Sequence, residues 1–256
     1  MRALKTMRDD SGFEQQPFIA HLVELRSRVI KSLIVLGAVF LGLTFKANDI
    51  YVLFSVPLTK NLPPEFHMIA TGVASPFLAP LKLVLFLAVV LSIPFVLYQA
   101  WSFVAPGLYR HERKLAFPLL FSSVFLFYLG MAFAFFAVLP IVFKFLVMTT
   151  PPGVAVMTDI NQYMDFVLTL FFAFGLCFEV PILTILLVIG GIMDRDAIAE
   201  KRPYVIVLAF VVGAILTPPD VVSQTMLAVP IWLLFELGLF FTKFLKARAH
   251  PSLVAH

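Results

Sequence analysis

The chain has 256 residues, of which 61% are hydrophobic and only 13% charged, with 29 Phe and a formal net charge of +4. Water-soluble domains carry about 25% charged residues, so this composition excludes one and makes the bilayer the solvent. The single cysteine, Cys177, falls in an apolar run, which excludes an intrachain disulfide and a Cys-based metal cluster.

Counted in spans of about 20 apolar residues, the length holds six spans with short loops. The expected organisation is one integral membrane domain over residues 1–256, all-α, with spans at about 29–46, 81–104, 115–143, 164–192, 204–217 and 221–243. A charged amphipathic leader, 1–28, lacks the short apolar core and cleavage site of a signal peptide and is expected to be retained. Span one carries only Lys31, near its start, where the side chain can snorkel to the interface. The segment from Lys46 to Ala79, with Pro57, Pro63, Pro64 and Pro76, reads as an ordered extramembrane loop with short helical pieces. Span two is uncharged and holds Pro94, which is expected to kink it.

Span three is a long uncharged stretch, followed by a Pro151-Pro152-Gly153 turn that precedes span four. Span five, Tyr204 to Leu216, is 13 residues long. At 1.5 Å per residue it covers about 20 Å of a hydrocarbon core of about 30 Å. A break at Thr217-Pro218-Pro219-Asp220 leads into span six, which contains Glu236. Of the 19 Lys and Arg, only Lys46, Lys60, Lys82 and Lys144 fall on one side of this topology. The positive-inside rule therefore puts both termini in the cytoplasm.

Glu179 is the costliest residue, because it lies near the middle of span four and an ionised carboxylate there must face protein or water. It is either a polar contact for a ligand or partner, a proton site, or an internally hydrogen-bonded structural group beside Pro181. Glu24, in His21-Leu22-Val23-Glu24-Leu25-Arg26-Ser27-Arg28, reads from periodicity as the partner of an i,i+4 ion pair with Arg28. Glu112 reads alone as a solvated loop charge among Arg110, Arg113 and Lys114. Two such carboxylates on separate elements could each hold a guanidinium by bidentate bonds. Thr217 and Gln224 flank the Pro-Pro-Asp break and either dock another subunit's helix or cap the turn. Lys82 and Glu236 read as snorkelling residues, and the Phe-rich stretch from Phe117 to Phe136 as lipid-facing bulk.

No P-loop, zinc-protease motif or nucleophile elbow is present, and the five histidines are scattered outside the spans. Neither an enzyme nor a metal or cofactor is expected. A proton-coupled small-solute transporter using Glu179 is the alternative, weakened by the lack of visible repeats.

Six blocks in order carry a resemblance: His21-Leu22-Val23-Glu24-Leu25-Arg26; Ser75-Pro76-Phe77; Phe103-Val104-Ala105-Pro106-Gly107-Leu108-Tyr109 with His111-Glu112-Arg113; Phe174-Gly175 with Phe178-Glu179-Val180-Pro181; Lys201-Arg202-Pro203-Tyr204; and Leu216-Thr217-Pro218-Pro219-Asp220. Together they resemble the TatC family, the multispanning core subunit of the twin-arginine protein translocase, with proteobacterial character. The resemblance implies six helices in a concave scaffold, the last two short, in the bacterial cytoplasmic membrane. It implies a receptor for twin-arginine signal peptides of folded proteins, self-associating and assembling with TatA- and TatB-type single-span subunits for transport driven by the proton-motive force. By family position Glu24 and Glu112 would bind the arginines, with Arg26 and Phe103 in the same patch. Glu179 would be the polar group of the concave face, Thr217 and Gln224 would dock a partner helix, and Pro57 and Asp220 would be sensitive positions on the far side. One departure is Gly72, where the family pattern is acidic.

Overall fold

The computed structural model describes residues 10–60, 67–104, 113–148, 157–216 and 221–249. The first half contains α1 (Asp10–Thr44), α2 (Ala47–Lys60), β1 (His67–Ile69), α3 (Ser75–Val104) and α4 (Arg113–Phe133). A five-residue π segment, Ala134–Val138, joins α4 to α5 (Leu139–Met148). The second half contains β2 (Met157–Asp159), α6 (Ile160–Cys177), α7 (Val180–Ile189), α8 (Arg195–Ala199), α9 (Arg202–Leu216) and α10 (Val221–Ala249). The all-helical expectation holds, apart from one two-stranded parallel pairing of β1 with β2. Among the described residues four stretches are long and apolar enough to cross a membrane: His21–Thr44, Ser75–Phe103, Phe117–Phe145 and Ile160–Ile189. Helix α9 is apolar but has only 15 residues, in line with the short fifth span read from sequence.

The helices form an open arc, in which α1 packs on α3, α3 on α4 and α6, α4 on α6, α7 on α10 and α10 on α9. The main core lies between α3, α4, α5 and α6, around Leu83, Val142, Val167, Leu170 and Phe174. Two close approaches require glycine. A Cβ on Gly130 of α4 would come within 2.5 Å of the Phe174 carbonyl oxygen, and one on Gly238 of α10 within 2.9 Å of Pro181 Cα. Small residues of this kind let membrane helices pack by van der Waals contact where no hydrophobic force draws them together. Helix α1 is different, since none of its span is buried and it touches the bundle along α3 alone among the main packings.

Proline shapes three of the spans, and at Pro94 the freed carbonyl finds a donor on the next helix. Helix α3 stays one helix through Pro80 and Pro94, so the kink expected at Pro94 does not break it. Pro94 has no N–H to give the carbonyl four residues earlier, and that Val90 oxygen instead accepts a hydrogen bond from the Tyr128 hydroxyl of α4 at 2.9 Å. Pro140 follows the π segment, whose wider turn accommodates the ring. Pro181 sits in the first turn of α7, where its ring excludes helical continuation from the Cys177 carbonyl, and the span divides at Phe178 and Glu179.

The 117–136 stretch is not uniform lipid-facing bulk. Phe117, Phe121, Phe125 and Phe136 are exposed, but Phe127 is fully buried against Gly175, and Phe133 and Phe135 pack on the core. Lys82 and Glu236, read as snorkelling residues, each meet a partner on a facing helix. Lys82 of α3 donates to both carboxylate oxygens of Asp165 on α6 at 2.7 Å, and Glu236 of α10 accepts a two-point contact from Arg202 of α9 at 2.5 and 3.0 Å.

At the end of the bundle where α3 and α6 begin, Asp159 clasps two loops together. One carboxylate oxygen accepts from the Thr71 backbone N–H at 2.8 Å and from its hydroxyl, and the other caps α6 through the N–H groups of Asn161 and Gln162. The Thr71 hydroxyl and N–H, then the α6 amides, hold this carboxyl down at about 2. A carboxyl lowered on folding contributes stability that is fully present above its unfolded value of about 4 and is lost as pH falls toward 2. Thermal melting in detergent should therefore drop between pH 4 and 2 in the wild type, and Asp159→Ala should remove that pH-dependent part. An unchanged melting profile in the variant would show that the clasp is idle.

Candidate functional site

Two polar places interrupt the apolar arc, one at the end where α1 begins and α3 ends, the other at the break between α6 and α7. At the first, α1 runs antiparallel to α3, so residues spaced three and four apart on its fourth and fifth turns face the last turns of α3. His21 stacks on Phe103 with ring centroids 4.1 Å apart and planes 14° from parallel. One turn on, Oε1 of the half-buried Glu24 accepts from Arg28 Nε at 2.9 Å and Nη2 at 2.5 Å. Arg28 Nη1 reaches across to Gln99 Oε1 of α3 at 3.3 Å. Glu24 Oε2 is 3.9 Å from His21 Nδ1, too long for a hydrogen bond. The ion pair read from the i,i+4 spacing is thus present, and it belongs to a larger cluster with His21, Gln99 and Phe103.

Of the expected residues, Glu24 and Phe103 come together here. Arg26 is exposed, about 200° around α1 from Glu24, and does not join the cluster. Glu112, Thr217 and Asp220 lie outside the described residues, as does the side chain of Pro57, whose backbone falls in α2. Gln224 stitches α10 to α9, its amide donating to the Phe210 carbonyl at 2.8 Å. A Cβ on Gly72 would sit 2.8 Å from the Ser75 hydroxyl oxygen. Sequence reasoning missed Gln99, although an amide in an otherwise apolar, uncharged span was a visible signal.

The second place is Glu179, at 9% exposure. Its Oε2 accepts from the Ser123 hydroxyl of α4 at 2.5 Å, while Oε1 has no partner among the described residues. Because Pro181 ends α6 before it, Glu179 stands at a helix break and not in the middle of a regular helix. The bond to Ser123 bears out an internal partner for this carboxyl, and the free oxygen leaves it able to accept a second donor. Among the described residues no group of His, Cys, Asp and Glu could hold a metal ion.

An open arc of apolar helices with a carboxylate cluster at one end and one polar group at its middle defines a polytopic helical membrane protein. Residues 20–230 match the family of the Sec-independent protein translocase protein, TatC. The chain is 57% identical over 247 residues to the Sec-independent protein translocase protein TatC of Azotobacter chroococcum mcd 1, covering 96% of each. It is 54% identical over 231 residues to that of Escherichia coli strain K12, covering 90% of each. A crystal structure of the twin arginine translocase receptor TatC superposes with a TM-score of 0.78 at 36% identity, covering 88% of this chain and 99% of that one. The chain belongs to the TatC family and is a multi-pass core subunit of the Sec-independent protein translocase.

Removing the one partner of a buried carboxyl costs about 1–3 kcal/mol, less where the group finds another donor. Ser123→Ala should therefore lower resistance to unfolding by about that amount, while Ser123→Thr, which keeps the hydroxyl, should cost less. Denaturant titration in detergent checks the order, and equal losses for both would mean that packing, not the hydrogen bond, is what Ser123 supplies.

Proposed function

We propose that this subunit is the receptor of the translocase, binding twin-arginine signal peptides of folded proteins at the end of the bundle where α1 begins. In this reading it lies in the bacterial cytoplasmic membrane with both termini in the cytoplasm, which puts Glu24 at the surface that a newly made signal meets. The observation that carries the reading is the half-buried Glu24 carboxylate beside the His21–Phe103 stack. A carboxylate at that depth favours a planar guanidinium, which makes two parallel charge-assisted bonds, over an ammonium, which is a point charge. Phe103 adds an aromatic face on which a guanidinium can lie. Glu112 takes the second arginine, and Arg26, on the other face of α1, adds positive charge to the same end of the bundle without joining the Glu24 cluster.

The apolar stretch of the signal then follows the arc inward, where the free oxygen of Glu179 offers a polar contact to the inserted signal or to a partner helix. TatA- and TatB-type single-span subunits dock where Thr217 and Gln224 flank the α9–α10 break, and copies of the chain associate in the receptor complex. Pro57 and Asp220 are sensitive positions on the far side. The proton-motive force drives transport. A small-solute transporter finds no support among the relatives, whose shared name is a protein translocase and not an enzyme.

The test is binding of a labelled twin-arginine signal peptide, and of its twin-lysine variant, to the protein in nanodiscs. A hydrogen bond to a charged group is worth about 1.5–3 kcal/mol, so Glu24→Gln and Glu112→Gln should each weaken the twin-arginine peptide about tenfold or more. The twin-lysine peptide should bind more weakly than the twin-arginine peptide to the wild type. Equal binding by all three proteins, each shown to be monodisperse, would remove the proposed site.

A further inference from the structure

We propose that Arg28 is the built-in competitor for the signal site: in the empty protein its guanidinium fills the Glu24 carboxylate, and a signal arginine binds by taking its place. This rests on the reading of Glu24 as a signal-binding residue and goes on to say what holds that residue before a signal arrives. An ordinary i,i+4 pair lies on a solvated helix face and contributes little. The Arg28 pair is different, because its side chain is only 22% exposed and two nitrogens of the fork, Nε and Nη2, converge on the one oxygen Oε1. The third, Nη1, is held by Gln99, which is 8% exposed and lies 71 residues away on α3.

An incoming guanidinium needs both carboxylate oxygens for a two-point contact, and Oε1 is already taken. Among the described residues Oε2 accepts no hydrogen bond, and His21 Nδ1 lies 3.9 Å from it. A bidentate arginine therefore has to free Oε1, whereas a lysine ammonium, as a point charge, can approach Oε2 and leave Arg28 where it is. Gln99 makes the exchange feasible. Its carbonyl oxygen already touches Arg28, so the displaced guanidinium keeps a neutral acceptor and is not left buried without one. Arg28 thus sets the affinity of the site for arginine signals, and Gln99 is the acceptor that receives it after exchange.

The experiment is a double-mutant cycle on the full chain in nanodiscs, read as the dissociation constant of a labelled twin-arginine peptide. Arg28→Gln should tighten binding about threefold or more, somewhat above the roughly twofold that an exposed i,i+4 pair would supply. Arg28→Lys keeps the charge and loses the fork, and it should also tighten binding, by less. In a Glu24→Gln background the gain from Arg28→Gln should disappear, and the twin-lysine peptide should gain less than the twin-arginine peptide throughout. If Glu24→Gln weakens binding but Arg28→Gln leaves it unchanged or weakens it, Arg28 supports the carboxylate and does not compete for it, and the proposal is overturned with the site intact. A gain that persists undiminished in the Glu24→Gln background is a bulk charge effect and overturns it as well. A Glu24→Gln protein that binds as tightly as the wild type removes both the site and its competitor.

Discussion

Hydrocarbon offers no water to a polar group, so a backbone or side-chain group freed within a span is costly unless the protein meets it, and that constraint organises this fold. Pro94 frees the Val90 carbonyl, and the Tyr128 hydroxyl on the next helix takes it. Pro181 divides the fourth span and leaves Glu179 at the break, where Ser123 of α4 donates to it. The same helix, α4, thus answers both irregularities. It packs on α6 closely enough to do so because Gly130 lets the Phe174 backbone approach. Without the Tyr128 bond the Val90 carbonyl would cost stability in lipid, and without Ser123 so would the Glu179 carboxyl.

The two ends of the bundle follow a different rule, because they lie where charge is affordable. At one end Asp159 gathers Thr71 and the first amides of α6, joining loops that are 88 residues apart in sequence. At the other, Glu24, Arg28, Gln99, His21 and Phe103 join the first span to the second. The first of these clusters is saturated, each carboxylate oxygen holding donors. The second has one oxygen open and an aromatic ring beside it, and that difference is why one reads as a clasp and the other as a recognition site. Glu179, with one oxygen bound to Ser123 and the other without a partner among the described residues, stands apart at the α6–α7 break.

Much of this was legible in the sequence. The four long apolar stretches followed from runs of apolar residues, the shortness of the helix after them from counting, and the cost of Glu179 from its place in one of those runs. The pairing of Glu24 with Arg28 followed from spacing alone, since one helix fixes which of its own residues meet. Contacts between helices were not legible, because no period links Gln99 to Arg28, Ser123 to Glu179 or Asp159 to Thr71. The partners of Lys82 and Glu236 were hidden for the same reason: near a span end a charged side chain looks free until the facing helix supplies Asp165 or Arg202. Pro94 was expected to kink its helix, but the hydroxyl that takes the freed carbonyl was not legible, being on another helix 38 residues away. The roles of Glu24 and Glu112 came from family resemblance, where spacing by itself pointed to ordinary surface charges.

The central claim is that the signal's arginines lie against Glu24, at the end of the arc where α1 begins and α3 ends. The most direct measurement is photo-crosslinking from a signal peptide carrying a photoreactive residue next to its arginine pair, followed by mass-spectrometric mapping of the adducts on the protein in nanodiscs. The account predicts adducts on the first turns of the first span around His21 to Arg28 and on the last turn of α3 around Gln99 to Phe103, lost when the arginines are replaced by lysines. Adducts confined to the opposite end of the bundle, around Thr71 and Asp159, would contradict it.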